Sequence, residues 1–120
     1  MTEAKKKTHY LIATIGSLTQ RGGRVTTATS MSAICGLHLA LVGDVVTYED
    51  GSEAVIIDGS GGYACLDGKP SALVGSNLSN GDVIIESLQK SGAIVVHKDD
   101  EPKGLFDSSY VPPANTGSSA

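Results

Sequence analysis

The chain has 120 residues and carries 13 acidic and 9 basic side chains, which give a net charge of −4. This balance argues against general binding of nucleic acid or anionic membranes, because both need clustered positive charge. Only 4% of the residues are aromatic and tryptophan is absent. Small aliphatic side chains must therefore fill the core of a single domain, which favours closely stacked strands. The 15 glycines indicate many tight turns.

The two cysteines, Cys35 and Cys65, are too few for a disulfide-stapled scaffold, so we expect reduced thiols in a protein that folds in the cytoplasm. The N-terminus lacks an apolar run of signal-peptide length. No stretch approaches the roughly 20 apolar residues of a membrane span. We expect any export to occur without a cleaved signal.

One tetrapeptide pattern, an alanine followed by two other residues and a glycine, recurs three times along the chain. It stands as Ala13-Thr14-Ile15-Gly16, as Ala40-Leu41-Val42-Gly43 and as Ala72-Leu73-Val74-Gly75. The second and third copies lie 32 residues apart, and this offset also pairs Val25 with Ile57. A repeat of this size indicates one small unit used several times, each burying its apolar face against the others. Three units predict pseudo-threefold symmetry.

Short apolar runs separated by glycine turns predict an all-β fold of about nine strands. The segment Leu18 to Gly23 is predicted to be a loop, and Ser87 to Lys90 to form one helical turn at most. The predicted strands are Tyr10–Ile15, Arg24–Thr29, Ser32–Cys35, Leu37–Val42, Ala54–Ile57, Tyr63–Leu66, Lys69–Val74, Asp82–Glu86 and Ala93–His97.

Two hairpins are predicted at Gly36 and at the pair Asp67-Gly68, which is a signal for a tight two-residue turn. The composition divides the chain into a flexible leader at 1–9, a β-repeat domain at 10–97 and a polar tail at 98–120. Phe106 is the only phenylalanine, and a disordered tail has no need of it. We expect it to fold back onto the domain, with a docking peptide for a partner as the alternative.

With the repeats in view, the chain resembles the PAAR-repeat proteins, which cap the spike of type VI secretion systems and related contractile injection machines. The resemblance covers about residues 11 to 87, and the order and spacing of its pieces are more specific than any one piece. The matching pieces are Gly22–Val25, Leu37–Asp44, Ile57–Ser60, Gly68–Gly75 and Val83–Ser87.

The resemblance implies a small cone of short strands with pseudo-threefold symmetry, seated on the trimeric end of a β-helical spike, the valine-glycine repeat protein. It implies a cap that sharpens the spike for membrane puncture, touches the membrane only transiently and carries effector proteins in some cases. The free protein would be a monomer, assembled in the cytoplasm and then secreted by the machine. One chain with three units can satisfy three equivalent sheet edges of a trimer.

Family members commonly hold zinc near the apex of the cone with histidine and cysteine. The corresponding positions of this chain hold Arg21, Tyr48, Asp50 and Asn80 instead. A structural zinc site needs thiolate or imidazole ligands, so we expect no zinc and no other cofactor. We expect Arg21 to pair with Asp50, and the Tyr48 hydroxyl to hydrogen-bond the Asn80 amide.

Other candidate chemistry is weak. Cys35 and His38 have a spacing that a metal can use, but a single pair is not specific. We expect Cys65 to face the core as a small apolar residue and His97 to be solvated. The acidic residues are scattered at turns and select no catalytic carboxylate pair, and no serine stands in a nucleophile-elbow pattern.

We therefore expect no enzyme. The alternative to a spike cap is a secreted β-prism-like module that binds carbohydrate, although few aromatic residues are available for sugar stacking.

Overall fold

The computed structural model describes residues 7–62, 64–66, 68–97 and 104–110. In these residues the chain forms no helix and eleven short strands, so the all-β prediction is confirmed. The strands are β1 (Lys7–Leu11), β2 (Leu18–Thr19), β3 (Arg24–Val25), β4 (Ala33–Ile34), β5 (Leu37–His38), β6 (Val45–Thr47), β7 (Glu53–Val55), β8 (Cys65–Leu66), β9 (Lys69–Pro70), β10 (Ile84–Glu86) and β11 (Ala93–His97).

The three repeated tetrapeptides meet in a closed ring of backbone hydrogen bonds. The amide of Ala13 donates to the carbonyl of Ala72, Ala72 donates to Ala40, and Ala40 donates to Ala13, at 2.8 to 2.9 Å. All three alanines are fully buried. A larger side chain at these positions would push the three backbones apart, which explains why the smallest chiral residue recurs. The predicted pseudo-threefold symmetry is therefore built into the centre of the fold.

A polar side chain closes the turn after each ring position. Ser17, Asp44 and Ser76 each accept a hydrogen bond from the backbone amide three residues earlier, at 2.8 to 2.9 Å. These three side chains are almost fully buried. Because a buried amide without a partner is costly, the serine or aspartate after each glycine is part of the repeat and has no need of a catalytic explanation.

Beyond the ring, the strands close into a small barrel. Five strands pair in the order β10-β2-β3-β6-β7. Isolated bridges from Ile56 to Leu78 and from Asn77 to Val83 connect β7 back to the start of β10. The closure leaves this sheet without a long free edge, which removes a surface prone to aggregation. Its interior is filled by aliphatic side chains, namely Val25, Val46, Ile56, Leu78 and Ile84.

The hairpin of the second unit is four residues longer than the other two. The backbone bonds that close the three hairpins run from Val25 to Ser17, from Ile56 to Asp44 and from Ile84 to Ser76. Val25 is therefore equivalent to Ile56, and the predicted pairing with Ile57 is wrong by one residue. A fixed offset along the sequence fails here because the extra residues lie inside one hairpin.

Three short arms leave the ring at equivalent places. Two of them are the predicted hairpins, β4–β5 and β8–β9, and both predictions are confirmed. The third arm is the ribbon in which β1 pairs with β11. Its position is equivalent because the amides of Ile12, Leu39 and Ser71 donate to the carbonyls of Gly92, Ser32 and Ala64 respectively.

The turn of the first arm explains its sequence. Cys35 and Gly36 have φ angles of 55° and 80°. Two consecutive positive φ angles between paired strands define the turn type that matches the natural twist of a hairpin, and glycine adopts its second position without steric cost.

Several strand predictions differ from the structure in extent. β2 lies in the segment predicted to be a loop, and β6 was not predicted as a strand. The first strand begins at Lys7 and its ladder ends at Leu11, because the residues that follow enter the ring. Ser87 to Lys90 form bends, not a helical turn.

The part of the tail that the structure describes packs on the domain. The backbone amide of Phe106 donates to the Gly59 carbonyl at 2.7 Å, and its ring lies 5.1 Å from that of Tyr10 in an edge-on arrangement. The expectation that Phe106 folds back is confirmed. Residues 1–6 of the predicted leader, and 98–103 and 111–120 of the predicted tail, lie outside the described residues. Within the described residues, no helix has the length and apolar character needed to cross a membrane.

Candidate functional site at the apex

The tips of the three barrel hairpins converge at one end of the fold, which we call the apex. They surround an open cleft of about 380 Å³. The second tip belongs to the longest of the three hairpins. All four positions predicted to replace the zinc ligands lie in this cleft. Its lining residues are Arg21, Gly22, Tyr48, Glu49, Asp50, Ser52 and Asn80.

Asp82 is the residue that connects the three tips, and the sequence did not single it out. Its side chain is 1% exposed. One carboxylate oxygen accepts from the backbone amides of Arg21, at 3.2 Å, and of Val83, at 2.8 Å. The other accepts from the Tyr48 hydroxyl at 2.6 Å. A carboxylate in the third unit therefore fastens the first and second tips to it.

Tyr48 reaches Asp82 because glycine stands at position 23. A Cβ atom on Gly23 would lie 2.7 Å from the Tyr48 ring and 2.6 Å from the Val46 side chain. Both distances are shorter than real carbon contacts, so a larger residue would displace the ring. The two glycines therefore have different roles. Gly22 allows a turn with a positive φ, and Gly23 leaves room for the Tyr48 ring.

Of the two predicted apex contacts, one is present. The Asn80 amide donates to the Tyr48 hydroxyl at 3.1 Å, as expected. The predicted pair of Arg21 with Asp50 is wrong. Arg21 instead donates to the Asn80 backbone carbonyl at 3.2 Å, and Asp50 accepts from the amide and hydroxyl of Ser52 within its own turn. A contact two residues away costs less chain entropy than one across the apex.

The hydrogen bonds set the charge state of the apex. Burial raises the pKa of the Asp82 carboxyl, but hydrogen bonds from Thr19, Tyr48 and the amides of Val83 and Arg21 outweigh it, so that the net pKa is lowered. Burial, followed by the hydrogen bond to Asp82, raises the pKa of the Tyr48 hydroxyl. At neutral pH the pair is therefore a carboxylate that accepts from a neutral phenol.

Comparison with known proteins decides the family. The family model described as the PAAR motif matches residues 15–86, which is more than half of the chain. This chain belongs to the PAAR motif family. No curated protein and no solved structure gave a significant match. The matched range includes all three apex tips but ends before β11 and begins after β1, so the third arm lies outside the PAAR motif.

The apex of this PAAR chain does not fit a structural zinc site. Arginine is a permanent cation, the Tyr48 proton is committed to Asp82, and an asparagine amide is not among the thiolate and imidazole ligands that such sites use. Among the described residues, no three histidine, cysteine, aspartate or glutamate side chains are grouped to hold a metal. The absence of zinc stays a prediction.

We expect a chelator to leave the thermal unfolding of the protein unchanged. In small zinc-binding domains, the free energy of zinc binding contributes directly to the free energy of folding. In this protein, hydrogen bonds between the apex tips take the place of that contribution. The measurement is the melting temperature with and without excess EDTA, together with elemental analysis of the purified chain. One tightly held zinc per chain would contradict the prediction.

We also expect the stability of the fold to fall in acid. The lowered pKa of Asp82 contributes stability that is present above the ordinary aspartate pKa of 3.8 and is lost as pH falls through the lowered value. The free energy of unfolding, measured between pH 7 and pH 2 by urea titration, should decline below about pH 4, and Asp82→Asn should flatten that decline. One group accounts for a slope of at most about 1.4 kcal/mol per pH unit. Equal slopes for both proteins would refute this role.

The remaining candidates are accounted for by local structure. The His38 ring nitrogen Nδ1 lies 3.0 Å from the Ser30 carbonyl oxygen, and Cys35 occupies its hairpin turn, where it is exposed. Cys65 is also exposed, so the expectation that it faces the core is wrong, and its thiol donates to the Gly61 carbonyl. Although Cys65 is exposed as a residue, the atoms around its sulfur desolvate the thiol in part, which raises its pKa. His97 lies on β11, in the third arm, but its side chain is outside the described part of the structure, so the expectation that it is solvated stays a prediction.

The buried acidic residues other than Asp82 also serve the backbone. Asp58 accepts from the amide and side chain of Asn77, both at 2.8 Å. Asp44 accepts from Leu41 and Thr29 amides. Among the described residues, every buried side-chain nitrogen or oxygen has a hydrogen-bond partner. A signal that could have revealed Asp82 is its place after Asn80-Gly81, where a carboxylate can cap a turn.

Proposed function

We propose that this chain is a structural, non-enzymatic tip that caps a trimeric β-helical spike of a type VI secretion system. The observation that carries the proposal is the closed hydrogen-bond ring of Ala13, Ala40 and Ala72. It makes a single chain pseudo-threefold at its centre, which is the symmetry that one cap needs to meet three identical spike chains. Membership of the PAAR motif family supports the same role.

The docking end is the one that carries the ring and the three arms. Each unit runs from an arm, through a ring alanine, to an apex tip, so the arms and the tips lie on opposite sides of the ring along the chain. Two exposed apolar residues belong to this end, Met31 before β4 and Val95 on β11, which are 82% and 37% exposed.

The carbohydrate-binding alternative has less support. Sugar stacking needs aromatic faces presented to solvent. Of the described aromatic residues, Tyr10 and Phe106 contact each other, and Tyr48 is held by Asp82 at the apex. Tyr110 lies against the backbone of Gly104.

The proposal carries consequences for location and partners. The cap would be assembled on its spike in the cytoplasm and exported with it by the machine, meeting a membrane only during puncture. In some cases the cap would also bind an effector protein and carry it out with the spike. No nucleic acid and no cofactor enters this role.

The test is assembly with a purified trimeric spike protein. We expect the free chain to be a monomer in light scattering and to co-elute with the spike as one cap per three spike chains. Val95→Asp on the third arm should weaken the complex, since it places a charge in the docking end. Val55→Asp is the matched control, because Val55 is similarly exposed, at 40%, but lies on β7 of the barrel.

A stable homotrimer of the free chain would contradict the proposal, as would failure to co-elute with any spike trimer. Specific retention on a glycan array without spike binding would favour the carbohydrate module instead.

A further inference from the structure

The third apex tip contains an asparagine followed by a glycine, Asn80-Gly81. An asparagine loses its side-chain amide when the backbone nitrogen of the next residue attacks the side-chain carbon Cγ. A glycine at the next residue favours this reaction, because no side chain hinders the approach. The other two asparagines, Asn77 and Asn115, precede leucine and threonine. The sequence therefore makes Asn80 the most reactive asparagine of the chain.

The structure leaves the peptide bond between Asn80 and Gly81 open to water. Both residues are exposed, and Asn80 lines the apex cleft. Among the described residues, and apart from its chain neighbours, only the Arg21 guanidinium lies within 4 Å of a Cβ atom built on Gly81, at 3.8 Å. Asn77 differs, because the residue after it, Leu78, is buried. Accessibility and sequence therefore select the same asparagine.

Three groups of the apex contact the atoms that change during this reaction. The Arg21 guanidinium donates to the backbone carbonyl of Asn80 at 3.2 Å. The backbone amide of Asp82 donates to the side-chain oxygen Oδ1 of Asn80 at 3.0 Å. The side-chain nitrogen Nδ2 of Asn80, which leaves as ammonia, donates to the Tyr48 hydroxyl at 3.1 Å. Both the backbone and the side chain of Asn80 are therefore held by the other two tips and by the residue that connects them.

Two of these bonds lie where negative charge develops. When the Gly81 nitrogen loses its proton, the charge spreads onto the Asn80 carbonyl oxygen, to which Arg21 donates. When that nitrogen attacks Cγ, the charge moves to Oδ1, to which the Asp82 amide donates. Hydrogen bonds aimed at developing charge lower a reaction barrier. One bond acts against the reaction, since the Gly81 amide donates to the Leu78 carbonyl at 3.0 Å and this turn must open before the attack.

We propose that Asn80 is a site of spontaneous deamidation in the folded protein, that Arg21 assists the reaction, and that the product loosens the apex. The Gly81 nitrogen gives its proton to hydroxide and forms a bond to Cγ. The bond from Cγ to Nδ2 breaks, and the amide leaves as ammonia with a proton from water. A water molecule then opens the resulting cyclic imide at either carbonyl, which leaves aspartate or isoaspartate at position 80. The net change consumes one water and releases one ammonia, without oxidation or reduction.

The product removes a hydrogen bond from the apex and adds a repulsion. A carboxylate at position 80 has no N–H to give to the Tyr48 hydroxyl, whose own proton is donated to Asp82. It also places a second negative charge beside the same hydroxyl as the Asp82 carboxylate, and like charges at one site disfavour each other. The apex would therefore loosen as the protein ages. This inference does not depend on spike docking.

The test is a time course on the full-length chain at pH 7, pH 8 and pH 9. Fragmentation in a mass spectrometer assigns the exchange of an amide for an acid to one residue, and an isoaspartate methyltransferase assay detects the branched product. We expect Asn80 to convert faster than Asn77 and Asn115, at a rate that rises with hydroxide concentration. Conversion of Asn80 no faster than that of Asn115 would overturn the proposal. So would cleavage of the chain after Asn80, because Nδ2 would then have attacked the backbone carbonyl instead.

Two arginine variants test the assisting role. Arg21→Met removes the guanidinium from the Asn80 carbonyl and should slow the conversion about 2- to 5-fold. Arg24→Met is the matched control, because Arg24 is also exposed and also donates to a backbone carbonyl, that of Gly16, at 3.0 Å. It should leave the rate unchanged, and equal rates for the two variants would overturn the role of Arg21. The wild-type time course stands even where a variant fails to fold.

The effect on the apex is measured by thermal unfolding at pH 7. Asn80→Asp should lower the melting temperature by about 2 to 8 °C relative to the wild type. Asn80→Ser is the control for the charge, because its hydroxyl oxygen can still accept from the Asp82 amide. It should melt at a higher temperature than Asn80→Asp. Equal melting temperatures for Asn80→Asp and the wild type would overturn the loosening of the apex.

Discussion

Replacing Asp82 with alanine should lower the free energy of unfolding by about 3 kcal/mol. The substitution removes the acceptor for the Tyr48 hydroxyl and for the Arg21 and Val83 amides. A buried donor without a partner costs about 1 to 3 kcal/mol, and water entering the open cleft would offset part of the sum. The measurement is urea unfolding at pH 7, where the carboxylate is charged.

Asp50→Ala is the control for this experiment, because Asp50 lies in the same cleft but bonds only within its own turn. We expect Asp50→Ala to lower the free energy of unfolding far less than Asp82→Ala does, because the Asp50 side chain is exposed. Tyr48→Phe should lower the free energy of unfolding less than Asp82→Ala does. It keeps the aromatic ring over Gly23 and the bonds from the Arg21 and Val83 amides to Asp82. Equal losses for Asp82→Ala and Asp50→Ala would show that Asp82 does not hold the apex together.

Gly59→Ala should destabilise the protein by a comparable or larger amount, about 3 kcal/mol or more. A Cβ atom there would overlap the carbonyl oxygen of Ser71 and crowd the backbone of Ala72, a ring residue. Backbone atoms at the ring cannot move aside as the end of a flexible side chain can. Overpacking of this kind typically costs about 1 to 3 kcal/mol, and more where the backbone must shift.

Gly36→Ala separates this steric effect from the general cost of replacing glycine. Gly36 has a φ of 80° in an open hairpin turn, and a Cβ atom placed on it would have no neighbour within 4 Å. Its substitution should cost about 1 kcal/mol, from backbone conformation alone. Thermal melts of both variants compare the two costs directly, and similar melting temperatures would refute the steric account of Gly59.

The sequence predicted the symmetry of this fold better than its strands. Ala13, Ala40 and Ala72 could be aligned because a crowded axis admits only small residues, and that restriction is visible in a single chain. Strands of two or three residues leave too little alternation to set their ends, so β2 and β6 went unrecognised as strands. Their existence depends on the barrel closing around them, which is a tertiary effect.

The apex shows the same division. The family resemblance implied that Arg21, Tyr48 and Asn80 lie at the apex, and the expected contact between Tyr48 and Asn80 is present. The role of Asp82 was not predicted, because it depends on Tyr48 crossing from the longer hairpin over Gly23. The predicted pair of Arg21 with Asp50 was wrong for a related reason. Opposite charges predict attraction, but they do not show that Ser52 lies nearer to Asp50 than Arg21 does.

In the third arm β1 pairs with β11, so the first and last strands of the domain lie next to each other. Where the other two arms are hairpins joined by a turn, this arm brings two separate strands together, with Lys7 opposite His97. A circular permutant should therefore fold, with 97 joined to 7 by a short glycine linker and the chain opened at Cys35-Gly36, although it lacks the contacts of Phe106 with Gly59 and Tyr10. In such a protein, a domain fused to either terminus would be attached at the first arm instead of the third, and the ring of Ala13, Ala40 and Ala72 would be unchanged.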